Sequence, residues 1–250
     1  MEQIRTKDEW FNGWFNSTYY HILYKNRDYK EAESFIETLY NFCKFEYSDK
    51  IADMGCGKGR HAIYLNSKGC DVTGLDLSPK NISFAQGFSN DRLHFFVHDM
   101  RDEFAKNEYD YVLNLFTSFG YFEQEADNIT TLRAFKEALK FDGKVVIDFM
   151  NTQKIMKFLR PIEAKIVEGI KFNIIKSFEA GFIVKTIQFE DKGKQYEFLE
   201  KVKAIYLNDF IKYFQMAGLS IKYIFGDYKL GAYDAEHSDR MIFILENQNK

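Results

Sequence analysis

The sequence is poor in the residues that mark secreted and metal-stabilised proteins. It has three cysteines, Cys43, Cys56 and Cys70, and their odd number and wide spacing fit neither a disulfide framework nor a zinc site. We therefore expect reduced thiols, no bound metal and a cytoplasmic location. The two prolines in 250 residues also argue against long disordered linkers.

Long apolar runs and an excess of one charge are missing as well. No segment reaches the ~18 uninterrupted apolar residues of a membrane helix, and the charged first residues predict no signal peptide. The net charge of −3, without a basic stripe, indicates no nucleic-acid partner. With 46% hydrophobic and 18% aromatic residues, the chain can build a large core, as one domain or as one domain with an inserted subdomain.

Short apolar segments alternate with amphipathic segments from residue 50 onward. We predict strands at 51–54, 71–75, 93–97, 109–115 and 144–149, with helices at about 59–68, 79–87 and 124–140 between them. A helix at 208–217 and strands at 219–225 and 240–245 follow. This alternation predicts an α/β fold, with a doubly wound, Rossmann-like parallel sheet and helices on both of its faces.

Two segments depart from this pattern. Residues 160–206 alternate between apolar and polar, with Glu200 as an exception and turn signals at 179–181 and 191–193, which predicts an inserted antiparallel sheet of three or four strands. Residues 1–45 combine an aromatic-rich stretch with an amphipathic helix at 28–43 that Asp28 caps. We expect these N-terminal helices to form either a permanent cap on the sheet or a lid over a ligand.

The stretch with the clearest chemistry is the turn after the first predicted strand, Asp53-Met54-Gly55-Cys56-Gly57-Lys58-Gly59. Glycines at alternate positions permit positive φ angles and let a ligand lie against bare backbone. Asp76 ends the next strand, where its carboxylate can accept hydrogen bonds from both hydroxyls of a ribose. The turn is therefore a nucleotide-like ligand site or, without a ligand, only a tight connection between strand and helix.

Two classes of cofactor suit such a turn. A dinucleotide would place its pyrophosphate at the helix N-terminus, where the Asp53 carboxylate would repel it. The spacing Gly-x-Gly-x-Gly also differs from the dinucleotide fingerprint Gly-x-Gly-x-x-Gly. S-adenosylmethionine (SAM) has no phosphate and carries a sulfonium and an ammonium group, which a nearby carboxylate attracts. The charges therefore favour SAM over NAD.

Three motifs together resemble the class I SAM-dependent methyltransferases. They are the glycine turn with the start of the next helix, from Asp53 to Ala62, the segment from Asp71 to Ser78 that contains Asp76, and His98-Asp99-Met100-Arg101. Within that superfamily the chain is similar to small-molecule types such as the amino-sugar N,N-dimethyltransferases and glycine N-methyltransferase-like enzymes. The resemblance implies an enzyme with one methyltransferase domain over 1–250 and a seven-stranded, mostly parallel sheet whose last strand is antiparallel. Its core would be 46–155 and 207–250, its inserted β subdomain 160–206, and its N-terminal helical lid 1–45.

The resemblance also implies roles for individual residues. Asp76 would hold the ribose, Leu77 would pack on the adenine, and Asp99 would accept from the adenine amino group unless it is a solvated loop acid. Arg60 would contact the carboxylate of the methionine part, or lie at the surface. The full set of expected cofactor-binding residues is Asp53, Gly55, Cys56, Gly57, Arg60, Asp76, Leu77, Asp99, Met100, Asn114 and Leu115.

The acceptor side is less defined, and no catalytic residue is fixed. Methyl transfer mainly requires a nucleophile held opposite the S–CH₃ bond in a site shielded from water. The candidates for this side are Tyr20, Tyr24, Ser118, Tyr121 and His237.

Residues 114–122 lack the Asn-Pro-Pro-Tyr motif of methyltransferases that act on nucleic-acid bases or glutamine amides. We expect a small-molecule amine or hydroxyl as the acceptor. The insertion would shape the acceptor pocket, form a homodimer surface, or both. The alternatives are a non-catalytic SAM-binding module and an NAD-type oxidoreductase.

Overall fold

The computed structural model describes residues 10–24 and 29–248, which divide into two units. The core unit holds 29–156 and 205–248, and the insertion unit holds 10–24 and 157–204. The helices are α1 (Trp10–Phe15), α2 (Thr18–Leu23), α3 (Tyr29–Cys43), α4 (Arg60–Ser67), α5 (Pro79–Ala85), α6 (Glu125–Ala138), α7 (Thr152–Lys157) and α8 (Leu207–Ala217). The strands are β1 (Lys50–Met54), β2 (Asp71–Asp76), β3 (Leu93–Val97), β4 (Tyr109–Asn114), β5 (Leu139–Met150), β6 (Ile162–Val167), β7 (Ile170–Glu179), β8 (Phe182–Asp191), β9 (Lys194–Lys203), β10 (Leu219–Phe225) and β11 (Arg240–Asn247).

The core unit contains a seven-stranded sheet with the order β10-β11-β5-β4-β1-β2-β3. β1 pairs in parallel with both β2 and β4, β2 with β3, and β4 with β5. Only β11 is reversed in this sheet, since it pairs antiparallel with β5 and with β10. The predicted α/β fold, with a mostly parallel sheet and an antiparallel last strand, is confirmed.

Helices cover the sheet, which explains why its central strands are nearly continuous apolar runs. The α3 side chains Phe35, Ile36 and Leu39 are fully buried and join one core cluster with Ile51 of β1 and Leu113 of β4. The apolar stripe predicted for this helix is therefore its core-facing side. The predicted cap, Asp28, lies outside the described residues.

The strand order reverses at β1, which places a crevice at the carboxyl ends of β1 and β4. The chain lays β2 and β3 to one side of β1 and then returns to add β4 on the other side. Ligands of open α/β sheets bind at such a switch point. The glycine turn leaves β1 here, and residues 115–122 leave β4 at the same edge.

The insertion unit is a four-stranded antiparallel sheet, β6-β7-β8-β9. Its turns at Ala180–Gly181 and Lys192–Gly193 each place two consecutive residues at positive φ, as type I′ hairpin turns require. These turns confirm the two predicted turn signals. A third turn of the same kind at 168–169 brings the number of strands to four.

The N-terminal helices α1 and α2 pack on this inserted sheet. Trp14 is fully buried in a cluster with Leu23, Phe172 and Ile174. Glu200, the exception in the apolar pattern, is buried there because it accepts hydrogen bonds from the Trp14 indole, at 3.2 Å, and from the Tyr24 hydroxyl, at 2.7 Å, and pairs with Lys185. Among the described residues, no helix is long and apolar enough to cross a membrane.

Candidate functional site

The three glycines of the turn have φ angles of +76°, +56° and +82°, in the left-handed region. A Cβ atom at Gly55 would lie 2.7 Å from Ser118 Cβ, and one at Gly59 would lie 2.7 Å from the Phe95 ring. A Cβ at Gly57 would meet no atom of the described residues within 4 Å. Gly55 and Gly59 are thus required by packing, whereas Gly57 borders open space in which a ligand can lie.

Asp76, at the end of β2, is held in place by the turn itself. The Gly57 N–H donates to its Oδ2 at 2.9 Å, and the Ser78 N–H donates to its Oδ1 at 2.8 Å. Burial raises the pKa of this carboxyl, while hydrogen bonds from Ser78, Gly57 and the Asn81 side chain lower it. The carboxylate is therefore fixed beside Gly57, with lone pairs left for further donors.

Asp53, at the end of β1, is 1% exposed and accepts a hydrogen bond from the Ala62 N–H. Its Oδ2 has no partner among the described residues. Burial raises the pKa of this carboxyl to about 7, although Arg60 opposes the shift. A buried carboxyl without a donor on one oxygen favours the protonated form, and a cationic donor would reverse that preference.

Asn114, at the end of β4, repeats this arrangement on the neighbouring strand. Its Nδ2 donates to the Met54 carbonyl at 2.9 Å, while its Oδ1 has no partner in the described part of the chain. Asn81 of α5 likewise leaves its Oδ1 without a partner there, on the side chain that donates to Asp76. Sequence reasoning named Asn114 among the cofactor-binding residues and did not name Asn81.

These unpartnered atoms test which ligand fits the edge of the sheet. Asn114 Oδ1 and Asn81 Oδ1 are amide oxygens and can only accept a hydrogen bond, and Asp53 Oδ2 can only accept once its carboxyl is ionised. All three therefore suit a ligand that brings donors and positive charge. Ammonium and ribose hydroxyl groups supply donors, whereas a pyrophosphate supplies acceptors and negative charge. The residues present therefore fit SAM, which has no phosphate, and do not fit a dinucleotide.

Asp99, just after β3, is already paired with a cation. Arg101 donates to it through Nε, at 3.0 Å, and through Nη2, at 2.7 Å, and holds its pKa below the usual range. The same guanidinium lies 4.9 Å from the centre of the Phe122 ring and 3.7 Å from Asp127. Arg101 was not among the predicted site residues. Leu77, expected to pack on an adenine, is 41% exposed and free to do so.

The loop that follows β4 is strained. Phe116 and Thr117 have φ angles of +54° and +61°, which cost on the order of 1–3 kcal/mol each for residues other than glycine. The Ser118 hydroxyl donates to the Leu115 carbonyl at 2.8 Å, and the Tyr121 hydroxyl donates to the Thr117 carbonyl at 2.7 Å. The predicted residues Ser118 and Tyr121 therefore lie in a loop that needs outside support.

Asp148 of β5 and Arg240 of β11 provide that support, and sequence reasoning missed both. Asp148 is fully buried and accepts from the Phe116 N–H at 2.8 Å through its side chain, and from the Thr117 N–H at 3.0 Å through its carbonyl. Arg240 donates to Asp148 Oδ1 at 2.7 Å and to Thr117 Oγ1 at 2.9 Å. One signal could have revealed the pair: an acid inside the apolar run of β5 needs a buried partner.

Phe116 contacts residues on both sides of it. The Arg60 guanidinium lies 4.4 Å from the centre of the Phe116 ring, and the His61 ring stacks on it at 5.0 Å. Tyr228 also stacks on Phe116, at 5.0 Å. Burial lowers the pKa of His61 well below its usual value, so its imidazole is neutral. Arg60 is thus held beside the glycine turn, and its contact with the carboxylate of a ligand stays a prediction.

The remaining candidates lie in other places. His237 is in an exposed turn, with its ring 2.9 Å from Asp234. Tyr20 and Tyr24 belong to the insertion unit, where their rings are 5.0 Å apart and Tyr24 donates to Glu200.

None of the three cysteines forms a disulfide. All three thiols are free, and burial keeps the pKa of Cys56 well above its usual value. The described residues contain no cluster of ligands for a metal ion.

Comparisons with known proteins find methyltransferases. Residues 51–143 match a family model described as a methyltransferase domain. The putative methyltransferase YqeM of Bacillus subtilis is 34% identical over 109 residues, which are 42% of this chain and 44% of that protein. The glycine/sarcosine N-methyltransferase of Aphanothece halophytica is 31% identical over 140 residues, 54% of this chain and 51% of that protein. The chain spans about half the length of these curated relatives.

The fold extends further than the sequence likeness. The crystal structure of an S-adenosylmethionine-dependent methyltransferase from Clostridium acetobutylicum superposes with a TM-score of 0.76 at 18% identity, covering 92% of this chain and 96% of that one. The fold is therefore that of a SAM-dependent methyltransferase. Residues 51–143 thus match the model of the methyltransferase-domain family, and the resemblance predicted from the sequence is confirmed.

Proposed function

We propose that the protein transfers a methyl group from SAM to an amine or hydroxyl of a small-molecule acceptor. The observation that carries the proposal is the pair of buried acceptor oxygens, Asp53 Oδ2 and Asn114 Oδ1, at the switch point of a methyltransferase fold. Both require a hydrogen-bond donor, and SAM offers an ammonium group there without a phosphate. S-adenosylhomocysteine (SAH), the product, keeps the same donors.

The adenosine part of the cofactor lies along the ends of β2 and β3 in this proposal. Asp76 accepts from the ribose hydroxyls, because Gly57 and Ser78 already fix its carboxylate beside open space. Leu77 packs on the adenine. Asp99 accepts from its amino group through Oδ2 while keeping Arg101, because Oδ1 already accepts from both the Arg101 N–H and Nε.

The methionine part lies between the ends of β1 and β4. Asp53 and Asn114 accept from the ammonium group, and the Gly55 backbone passes beside it. Arg60 donates to the ligand carboxylate. Its guanidinium lies over the Phe116 ring, in the same region of the site. Cys56 and Leu115 contribute backbone and apolar contact to this surface, whereas Met100 follows β3 beside Asp99 and belongs to the adenosine side.

SAM supplies a methyl group on a sulfonium, which is a good leaving group. The protein therefore needs mainly to orient the acceptor and exclude water. Ser118 and Tyr121 belong to the loop that borders the glycine turn, and Tyr20, Tyr24 and His237 remain candidates from elsewhere. A base is needed only where the acceptor is protonated at neutral pH.

An amine is the favoured acceptor because one relative of this chain is named as a glycine/sarcosine N-methyltransferase. We also propose a cytoplasmic location, which three free thiols support. The insertion would contribute a homodimer surface. The exposed side chains Ile162, Ile175 and Leu199 support that idea, because the strand registers align them in one row across the inserted sheet.

Titration calorimetry with SAM, SAH and NAD tests the proposal. We expect the wild type to bind SAM and SAH but not NAD. Asp76→Ala should weaken SAM binding by about 1–3 kcal/mol, because ribose hydroxyls lose their partner. Asp71→Ala, at the opposite end of the same strand, is the matched control and should bind normally. NAD binding without SAM binding would overturn the proposal.

Catalysis and assembly need separate measurements. Incubation with methyl-labelled SAM and pooled amines and alcohols should yield a labelled small molecule. A protein that binds SAM but labels no member of such pools would be a binding module instead. Sedimentation should give a dimer that Ile175→Lys converts to monomer, and a wild-type monomer would remove the assembly role from the insertion.

A further inference from the structure

Asp148 and Arg240 lie next to the proposed site, yet none of the roles above uses them. Asp148 is fully buried on β5, and Arg240 is mostly buried at the start of β11, the neighbouring antiparallel strand. Their ion pair is short, at 2.7 Å from Nε to Oδ1. A buried ion pair is weak evidence for stability, since its desolvation offsets much of the attraction. The other hydrogen bonds of these two residues therefore indicate their role better than the ion pair does.

Three further hydrogen bonds link this pair to one loop, and Tyr228, which stacks on Phe116 of that loop, donates to Asp148 Oδ2 at 3.4 Å. The Asp148 side chain accepts from the Phe116 N–H, the Asp148 carbonyl accepts from the Thr117 N–H, and the Arg240 guanidinium donates to Thr117 Oγ1. Phe116 and Thr117 both have left-handed φ angles, and Thr is β-branched, so the loop would not keep this conformation by itself. The pair thus supplies the hydrogen bonds that hold this strained backbone in place.

The loop in turn borders the glycine turn. Ser118 Oγ lies 3.4 Å from the Gly55 carbonyl oxygen, and its Cβ occupies the space that a side chain at Gly55 would need. Phe116 lies against Arg60 and His61. The residues assigned to adenosine are on other strands: Asp76 ends β2, and Asp99 follows β3. The pair therefore reaches only the methionine side of the site.

We infer that the Asp148–Arg240 pair positions residues 116–118 against the glycine turn and thereby sets the affinity for the amino-acid end of the cofactor. It does not act on the adenosine end. Both residues are positioning residues, because they act through Phe116, Thr117 and Ser118. This inference rests on the proposed function, since it requires SAM at the switch point.

Two ligands separate the two ends of the cofactor. SAH carries the amino-acid end, and 5′-deoxy-5′-methylthioadenosine has the same adenosine without it. The variants are Asp148→Asn, Arg240→Lys and Thr117→Val, of which the last only removes an acceptor from a half-buried side chain. We expect each variant to weaken SAH binding, by about tenfold for the two pair variants and several-fold for Thr117→Val, with methylthioadenosine binding unchanged.

Tyr111→Phe is the matched control. It removes one partly buried hydrogen bond to the Cys43 carbonyl, 3.1 Å long, in the same sheet. It should change neither affinity. Two results would overturn this inference without affecting the proposed function, provided that the variants unfold like the wild type. One is an equal loss of affinity for both ligands, and the other is an unchanged affinity for SAH.

Two further outcomes are informative. A wild type that binds neither ligand would overturn the proposed function itself. If Asp148→Asn does not fold, Arg240→Lys and Thr117→Val decide the question, and a normal SAH affinity in both would contradict the inference.

Discussion

The two sides of the switch point are built in different ways. At the ends of β2 and β3, acids are satisfied by neighbours close in sequence: Asp76 by Ser78, and Asp99 by Arg101. At the ends of β1 and β4, Asp53 and Asn114 keep unpartnered oxygens among the described residues. The adjoining loop is held by Arg240, which is 92 residues from Asp148 along the chain.

The acids of the β2–β3 side are therefore preorganised, whereas groups of the β1–β4 side gain hydrogen-bond partners only when a ligand binds. Both acids of the β2–β3 side have hydrogen-bond donors before a cofactor arrives, so they can serve as a rigid platform for adenosine, although Asn81 Oδ1 beside Asp76 has no partner among the described residues. The β1–β4 side has a carboxyl whose pKa burial raises to about 7, and it becomes satisfied only when a donor binds. Recognition of the charged, amino-acid end of the cofactor therefore depends on the second side.

The largest expected effect comes from a substitution that adds a side chain between the glycine turn and the loop after β4, on the β1–β4 side. Gly55→Ala would place a Cβ 2.7 Å from Ser118 Cβ at a φ of +76°. We expect SAM affinity to fall by about 100-fold, because the loop must move away, and the free energy of unfolding to fall by roughly 1–3 kcal/mol. Calorimetry and urea unfolding measure the two quantities.

Gly181→Ala is the control for backbone strain alone. Gly181 has a φ of +83°, and a Cβ there meets no atom of the described residues within 4 Å. Its variant should lose about 1 kcal/mol of stability and keep its SAM affinity. Normal SAM binding by Gly55→Ala would refute the packing of Ser118 against the turn.

The pH dependence of binding is expected to be intermediate in size. The folded-state pKa of Asp53, about 7, lies above its unfolded value of about 3.9. Proton binding by Asp53 therefore stabilises the folded protein fully below about pH 4, and this contribution is lost as the pH rises through 7. Arg60 and Asp76 modulate the shift with opposite signs.

A bound ammonium group reverses that preference, because it favours the ionised carboxylate. SAM affinity should rise about tenfold between pH 6 and pH 8 in the wild type. Asp53→Asn has no proton to lose, so its affinity should change much less over the same range. Calorimetry in matched buffers measures this, and an identical slope in the two proteins would remove Asp53 from the site.

The smallest expected effect comes from the β2–β3 side. Arg101→Gln removes the cation that orients Asp99 and contacts Phe122. We expect SAH and methylthioadenosine to bind about threefold more weakly, and equally so, since both contain the adenine. A loss confined to SAH would place Arg101 on the methionine side and would erase the contrast between the two sides.

The same contrast explains how much the sequence could predict. The platform for adenosine depends on short-range motifs, the glycine turn with Asp76 and the Asp99-Met100-Arg101 segment, which can be recognised within the chain. The four hairpin strands of the insertion likewise depend on local turn chemistry. Asp148 and Arg240 come together only through strand pairing, and α7 had no pattern that we recognised. The partners of Glu200 and the unpartnered oxygen of Asn114 also emerged only from packing.

A crystal structure of the protein with SAH would test the central claim most directly. We expect the ribose hydroxyls within hydrogen-bonding distance of Asp76, and the ammonium group donating to Asp53 Oδ2 or Asn114 Oδ1. The loop at 116–118 should keep its left-handed backbone. SAH bound elsewhere, or an ammonium group directed away from both side chains, would contradict the account.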